Sequence, residues 1–333
     1  MKILFLILLQ ALALSACHSG KDSAQQELWI YTSLYKDTIA DLNPKLEKAF
    51  PGVKFNWYQA GSEEVATKVN AEILAGNLQA DVLISSDRFW YEELGMNGKL
   101  HPYKVKAAEA VPSELKNPQD FYTAVSLPVM VLCYNNESVS DAEAPKSFKE
   151  MGEARWKGKF TIGSPLASGT NFTTMAMLQQ RYGWDYFKGL KANDTISEGG
   201  NSSVLRRIQN KERPVGWVLL ENVLRFQESD KRLKAVFPED GVVTQANVLA
   251  ISNKAGSREL AEKFAEWMFG EEGQAAMTRS FMYSTLPSFA PPVGAPAFAE
   301  MMKSSFPWSQ DFIKQVTSTR NELKEKYTEI MFQ

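Results

Sequence analysis

Small hydroxyl residues and glycine recur where helices are expected to begin. In "SPLASGTNFTTMAML", residues 164–178, Ser168, Gly169 and Thr170 stand at a loop-to-helix junction. The first N–H groups of a helix have no intrahelical partner, and the helix end carries about half a positive charge. Hydroxyls beside such N–H groups do one of two things: they cap the helix, or they help it hold an anion. Similar clusters occur at Thr32-Ser33, Gly61-Ser62, Ser85-Ser86-Asp87 and Asn201-Ser202-Ser203. Arg206 follows Ser202 by four positions, as Arg207 follows Ser203, which puts each pair on one helical side and a guanidinium within reach of a phosphate. Glu63 and Glu64 oppose this reading, because carboxylates in a first turn repel an anion unless they point away. Glu221 beside Asn222 adds an acid and an amide at the end of an expected strand, suited to an amine or to hydroxyl groups. Tyr35 and Trp217 are candidate pocket walls.

These clusters are positioned by alternating elements. "ELWIYTSL" reads as a strand, followed by a helix with apolar Ile39, Leu42, Leu46, Ala49 and Phe50. "PGVKFNWYQA" is a turn and a second strand; Val65, Val69 and Ile73 mark one face of the next helix; "ADVLISSD" is a short buried strand. A second set follows: "KGKFTIGSP" as a strand, the helix after Gly169, the helix after Asn201 and the strand "RPVGWVLL". Alternating strands and helices imply an α/β fold with helices on both faces of each sheet. In open α/β sheets ligands bind beyond the carboxyl ends of the strands, where the clusters fall.

The chain of 333 residues is long enough for two domains, and its net charge of −2 gives no electrostatic footprint for nucleic acid. Two histidines, His18 and His101, leave a histidine-based metal centre or catalytic triad without material. No G-x-S-x-G, H-E-x-x-H or P-loop pattern is present, so the expectation is a binding protein that is not an enzyme and carries no cofactor. The start, "MKILFLILLQALALSAC", has one lysine, a short apolar run and small residues, the pattern of a secretory signal. Residues 1–16 are read as signal peptide and 17–27 as a lipidated Cys17 with a polar tether. Cys133, in the apolar run "LPVMVLCYNN", is read as a buried structural thiol.

"LSAC" resembles the bacterial lipobox, whose cysteine receives lipid, which implies a cell-envelope, membrane-anchored protein. The order of "IYTSLYKD", "ADVLISSD", "LPVMVLCYNN", "KGKFTIGSPLASGTNF" and "FPEDGVVTQANVLAISNKAGSRELAEKFAEWMFGEEGQ" resembles the type 2 periplasmic binding proteins, solute receptors of ABC importers. The resemblance implies a two-lobed fold of two mixed sheets with two hinge crossings. Residues 28–127 and 245–333 would form one lobe and 128–244 the other. It implies a monomer that captures a small ligand between the lobes and passes it to a membrane permease, or reports it to a sensor kinase. Within that family the chain resembles the ferric-ion and organophosphate receptors. The ferric branch carries neighbouring second-lobe tyrosines; here the matching stretch "PVGWVLLENVL" has none. The phosphate-binding branch is therefore the expectation, with a ferric-ion receptor as the alternative. Its ligand residues would be Thr32, Ser33, Tyr35, Gly61, Ser62, Ser85, Ser86, Asp87, Ser168, Gly169, Thr170, Ser202, Ser203, Arg206, Glu221 and Asn222.

Overall fold

A computed structural model describes residues 26–333, so the expected signal segment and Cys17 lie outside the described residues. Two mixed sheets form the frame. The first holds seven strands, ordered Tyr283–Ser284, Thr123–Leu127, Asn247–Ser252, Val82–Ser85, Gln26–Thr32 and Val53–Gln59, with Leu100–His101 paired to Asn247–Ser252. Gln26–Thr32 runs parallel to both Val53–Gln59 and Val82–Ser85, while Asn247–Ser252 is antiparallel to its neighbours. The second sheet holds six strands, ordered Leu233–Val236, Val129–Asn135, Val215–Leu219, Phe160–Ile162 and Ile196–Ser197, with Val243–Thr244 paired to Val129–Asn135. Its parallel part is Phe160–Ile162 with both neighbours.

The apolar stretch around 127–135 is two strands, one in each sheet, divided at Pro128. Proline has no N–H to give a ladder, so the chain leaves one sheet there and enters the other. The return crossing lies at Gln245 and Ala246, between Val243–Thr244 and Asn247–Ser252.

Local elements follow the apolar spacing. Helix Lys36–Ala49 buries Ile39, Leu42 and Leu46, and helix Ser62–Leu74 buries Val65, Ala66 and Val69. Between the first two strands, Gly52 takes a φ of +81° after Pro51, a turn only glycine adopts without strain. Val82–Ser85, paired on both sides in mid-sheet, is buried at every position. Cys133 is fully buried and unpaired, and burial pushes its thiol up to about 12.

The C-terminal segment departs from the expected division. Rather than staying with the first sheet, it crosses near Ser305, which bridges Val242, and packs Phe306, Phe312, Ile313, Val316, Tyr327 and Met331 into the core beneath the second sheet. Tyr327 Oη is 2.6 Å from Ser197 Oγ, and Lys191 Nζ donates to the Met331 carbonyl at 2.7 Å. Among the described residues, no aromatic side chain after residue 305 belongs to the core cluster of the first sheet. These rings fill the space around Phe89, Phe172 and Phe187 instead.

Candidate functional site

The carboxyl ends of the parallel strands in the two sheets face one another across a cavity of about 180 Å³. The first sheet's side contributes Ser33, Leu34, Tyr35, Gly61, Ser62, Ser86, Asn247 and Met282. The second contributes Ala167, Ser168, Thr170, Gly200, Asn201, Ser202, Ser203, Leu219 and Glu221, with Pro128 at the crossing between them.

Three helices begin at this cavity: Ser62–Leu74, Gly169–Ala192 and Asn201–Gln209. None has a side-chain cap. By contrast, Asp87 caps helix Arg88–Met96 by accepting from Trp90 N–H at 3.2 Å. Ser168 therefore occupies the N-cap position of its helix without capping it. Its Oγ lies 2.9 Å from Thr170 Oγ1, which also accepts from Asn201 Nδ2 at 2.9 Å. Hydroxyls and first-turn N–H groups from both sheets thus point at one small space. No lysine or arginine lines it.

Hydrogen bonds tie the lobes beside the cavity. Gly169 N–H donates to Ser62 Oγ at 2.8 Å. Tyr35 Oη lies 2.9 Å from Asn222 Oδ1 and 3.3 Å from Glu221 Oε1. Glu221 is 1% exposed, and burial raises its carboxyl from 4.5 to about 7. Its second oxygen, Oε2, is buried without a hydrogen-bond partner although the residue lines the cavity. A buried polar atom left bare is costly, and a bound ligand relieves that cost.

Ten of the sixteen sequence-derived residues line the cavity: Ser33, Tyr35, Gly61, Ser62, Ser86, Ser168, Thr170, Ser202, Ser203 and Glu221. Six do not, each for a local reason. Thr32 is fully buried and accepts from Leu34 N–H at 3.0 Å, and Ser85 bonds Tyr91 Oη at 3.1 Å. Successive side chains of a strand point to opposite faces, so at both strand ends the next serine faces the cavity. Asp87 is taken up by its cap and by Arg320. Arg206 is exposed, off the cavity, and the neighbouring Arg207 pairs with Glu198 at 3.0 Å. Asn222 is held by Tyr35 behind the lining. Gly169 admits the other lobe rather than a ligand: a Cβ there would meet Asp87 Cβ at 2.9 Å and Ser62 Oγ at 3.1 Å.

Trp217 is core, its Nε1 donating to Asn171 Oδ1 at 3.0 Å. Glu221 and Asn222 open helix Leu220–Gln227 instead of ending a strand. Of the lining residues absent from the sequence reading, Asn201 belongs to a cluster already singled out. Asn247 and Met282 come from the return strand and a late loop, where no local pattern marks them. Among the described residues no group of three or more His, Cys, Asp and Glu is placed to hold a metal ion, and no helix is long and apolar enough to cross a membrane.

Two lobes, two strand crossings and a polar cavity between facing helix N-termini define a receptor for a small solute. The chain belongs to the bacterial extracellular solute-binding protein family, whose model matches residues 77–316. A probable ABC transporter periplasmic-binding protein of Sinorhizobium fredii is 22% identical over 240 residues, covering 69% of this chain and 66% of the relative. Among solved structures, the periplasmic binding protein AfuA of Actinobacillus pleuropneumoniae with fructose-6-phosphate bound superposes with a TM-score of 0.81 at 22% identity, covering 92% of this chain and 99% of that one. Iron-bound HitA of Pseudomonas aeruginosa gives a TM-score of 0.79 at 19% identity, covering 91% and 99%.

Proposed function

We propose that this protein is the substrate-binding component of an ABC import system and captures a small phosphate-bearing anion, such as a phosphonate or sugar phosphate, in the interlobe cleft. The observation that carries this is the convergence of three uncapped helix N-termini on one hydroxyl-lined cavity. Oriented N–H groups and helix ends suit an anion, and they hold it without a cationic side chain. The cavity has room for about six waters at roughly 30 Å³ each, which matches a small solute. The S. fredii relative supports the importer role, and the sugar phosphate in the AfuA structure supports the ligand class. The iron in HitA marks the competing chemistry. Against it, Tyr35 and Glu221 are the phenol and the carboxylate in the lining, a sparse donor set for Fe(III).

Ligand enters the open cleft and makes contacts with both lobes that only the closed form offers, so closure is favoured by that difference in contacts. Bending at Pro128 and at Gln245–Ala246 accommodates the movement. The ligand leaves chemically unchanged to a membrane permease, and lipid on Cys17 would keep the monomeric receptor at the cell envelope.

Thermal melts against phosphate, phosphonates, glycerol and sugar phosphates, sulfate and Fe(III) test the ligand class. A ligand at a hundred times its Kd adds about 2.7 kcal/mol and raises the midpoint by a few degrees. The expected result is a shift with a phosphate compound that Ser168→Ala with Thr170→Ala abolishes. A shift with Fe(III) alone overturns the phosphate reading and leaves the receptor role standing.

A further inference from the structure

Glu63 stands in the first turn of helix Ser62–Leu74, next to two residues that line the cavity. An ionised carboxylate at that position works against an anion held by the same helix end. The structure supplies Glu63 with two cations. Arg320 donates to Glu63 Oε1 at 2.8 Å and Lys324 to Glu63 Oε2 at 2.8 Å. All three side chains are between 14% and 16% exposed, so water screens the cluster weakly. Arg320 also pairs with Asp87, the buried cap of the neighbouring helix. Two carboxylates are thus matched by two cations.

Both cations sit on the C-terminal helix Arg320–Phe332, which packs against the second lobe through Tyr327 and Met331. They also lie 5.3 Å from the ring centre of Phe172, in the first turn of helix Gly169–Ala192. The C-terminal helix therefore meets the start of a cleft helix from each lobe. Its two cations are aimed at the acidic side chain that would otherwise spoil one of them. Glu64, also in that first turn, is exposed and left to solvent.

We propose that Arg320 and Lys324 are positioning residues for the bound anion: they neutralise Glu63 and leave the N-terminus of helix Ser62–Leu74 positive toward the cleft. The inference rests on the anion reading above. Besides the helix ends, the same lining holds the buried and unpartnered Oε2 of Glu221, an acceptor that a hydroxyl group on a phosphate-bearing ligand would satisfy. It also assigns the C-terminal helix a role in affinity without contact to the ligand.

Lys324→Gln is the cleanest test, because Lys324 bonds Glu63 while Asp87 keeps Arg320. Binding of inorganic phosphate and of glycerol phosphate is measured by calorimetry on the purified protein. The expected result is a loss of about three- to tenfold in affinity, the scale of one charge at a helix end. Adding Glu63→Gln to Lys324→Gln is expected to restore wild-type affinity, since the offending charge is then gone. If wild type binds and Lys324→Gln binds equally well, or if Glu63→Gln fails to rescue it, the inference is overturned and the anion reading survives. If wild type binds neither probe, the anion reading fails and takes this inference with it.

Discussion

Glu221 and Tyr35 show how a single residue can be identified by type yet understood only by its surroundings. A lone acid near a strand end is visible in the sequence; that its Oε2 is buried and bare is a property of the packed cleft. The consequence is a pH dependence. With its carboxyl raised from 4.5 to about 7, the folded protein holds a proton that the unfolded chain has released. The stability this contributes is fully present below about pH 4.5 and is lost as pH rises through about 7. A shift of that size corresponds to about 3 kcal/mol. Urea unfolding at pH 5 and pH 8 should therefore show wild type losing most of that, about 2–3 kcal/mol, relative to Glu221→Gln, which cannot titrate. Equal losses in the two proteins would show that the carboxyl is already solvated.

At the scale of elements, the meeting of three helix N-termini at one cavity is the specific feature. Asp87 uses its side chain on its own helix, whereas the residues before the three helices at the cavity do not cap them; of their first N–H groups, that of Gly169 is taken by Ser62 Oγ. Gly169 shows how closely those helix ends approach the opposite lobe. In Gly169→Ala, the added methyl would press on Asp87 Cβ at 2.9 Å and on its Cα at 3.2 Å. Overpacking of this kind costs about 1–3 kcal/mol, here charged to the closed form alone. The expected result is about a fivefold to hundredfold weaker ligand affinity with an almost unchanged melting midpoint without ligand. Unchanged affinity would mean that ligand binds without the lobes meeting at Gly169. The existence and order of these helices were legible, because Ile39, Leu42 and Leu46, or Val65 and Val69, recur at helical spacing. Which residue of each cluster faces the cavity was legible only to within one position. At two of the strand ends the strand's last side chain turns inward, and the next one turns to the cleft.

For the whole molecule, closure is the functional variable. Three segments pass between the lobes: Pro128, Gln245–Ala246 and the stretch near Ser305. The direct polar ties between the lobes are Gly169 to Ser62, Tyr35 to Asn222 and Glu221, Arg225 to Asp37, and Arg320 and Lys324 to Glu63 and Asp87. Bonds of this kind contribute about 1 kcal/mol each, so ligand contacts are left to set the balance between open and closed forms. Small-angle scattering should accordingly show a smaller radius of gyration when a binding ligand is added to wild type, and a weaker response in Gly169→Ala at the same ligand concentration. A radius that ignores ligand in a protein whose melt responds to it would rule out closure as the response.

The sequence by itself determined the alternation of strands and helices, the polar character of the strand ends, the scarcity of histidine and the family resemblance. Those features are local: periodicity, turn chemistry and composition act within a few residues. The tertiary structure decided the rest. It brought Asn247 and Met282 to a cavity that otherwise gathers residues 33–221, sent the C-terminal helices to the second lobe, and set Arg320 and Lys324 against Glu63 more than 250 residues away. No local signal encodes such pairings. They follow from where the chain must bury its remaining aromatic side chains and compensate its buried charges once the two sheets have formed.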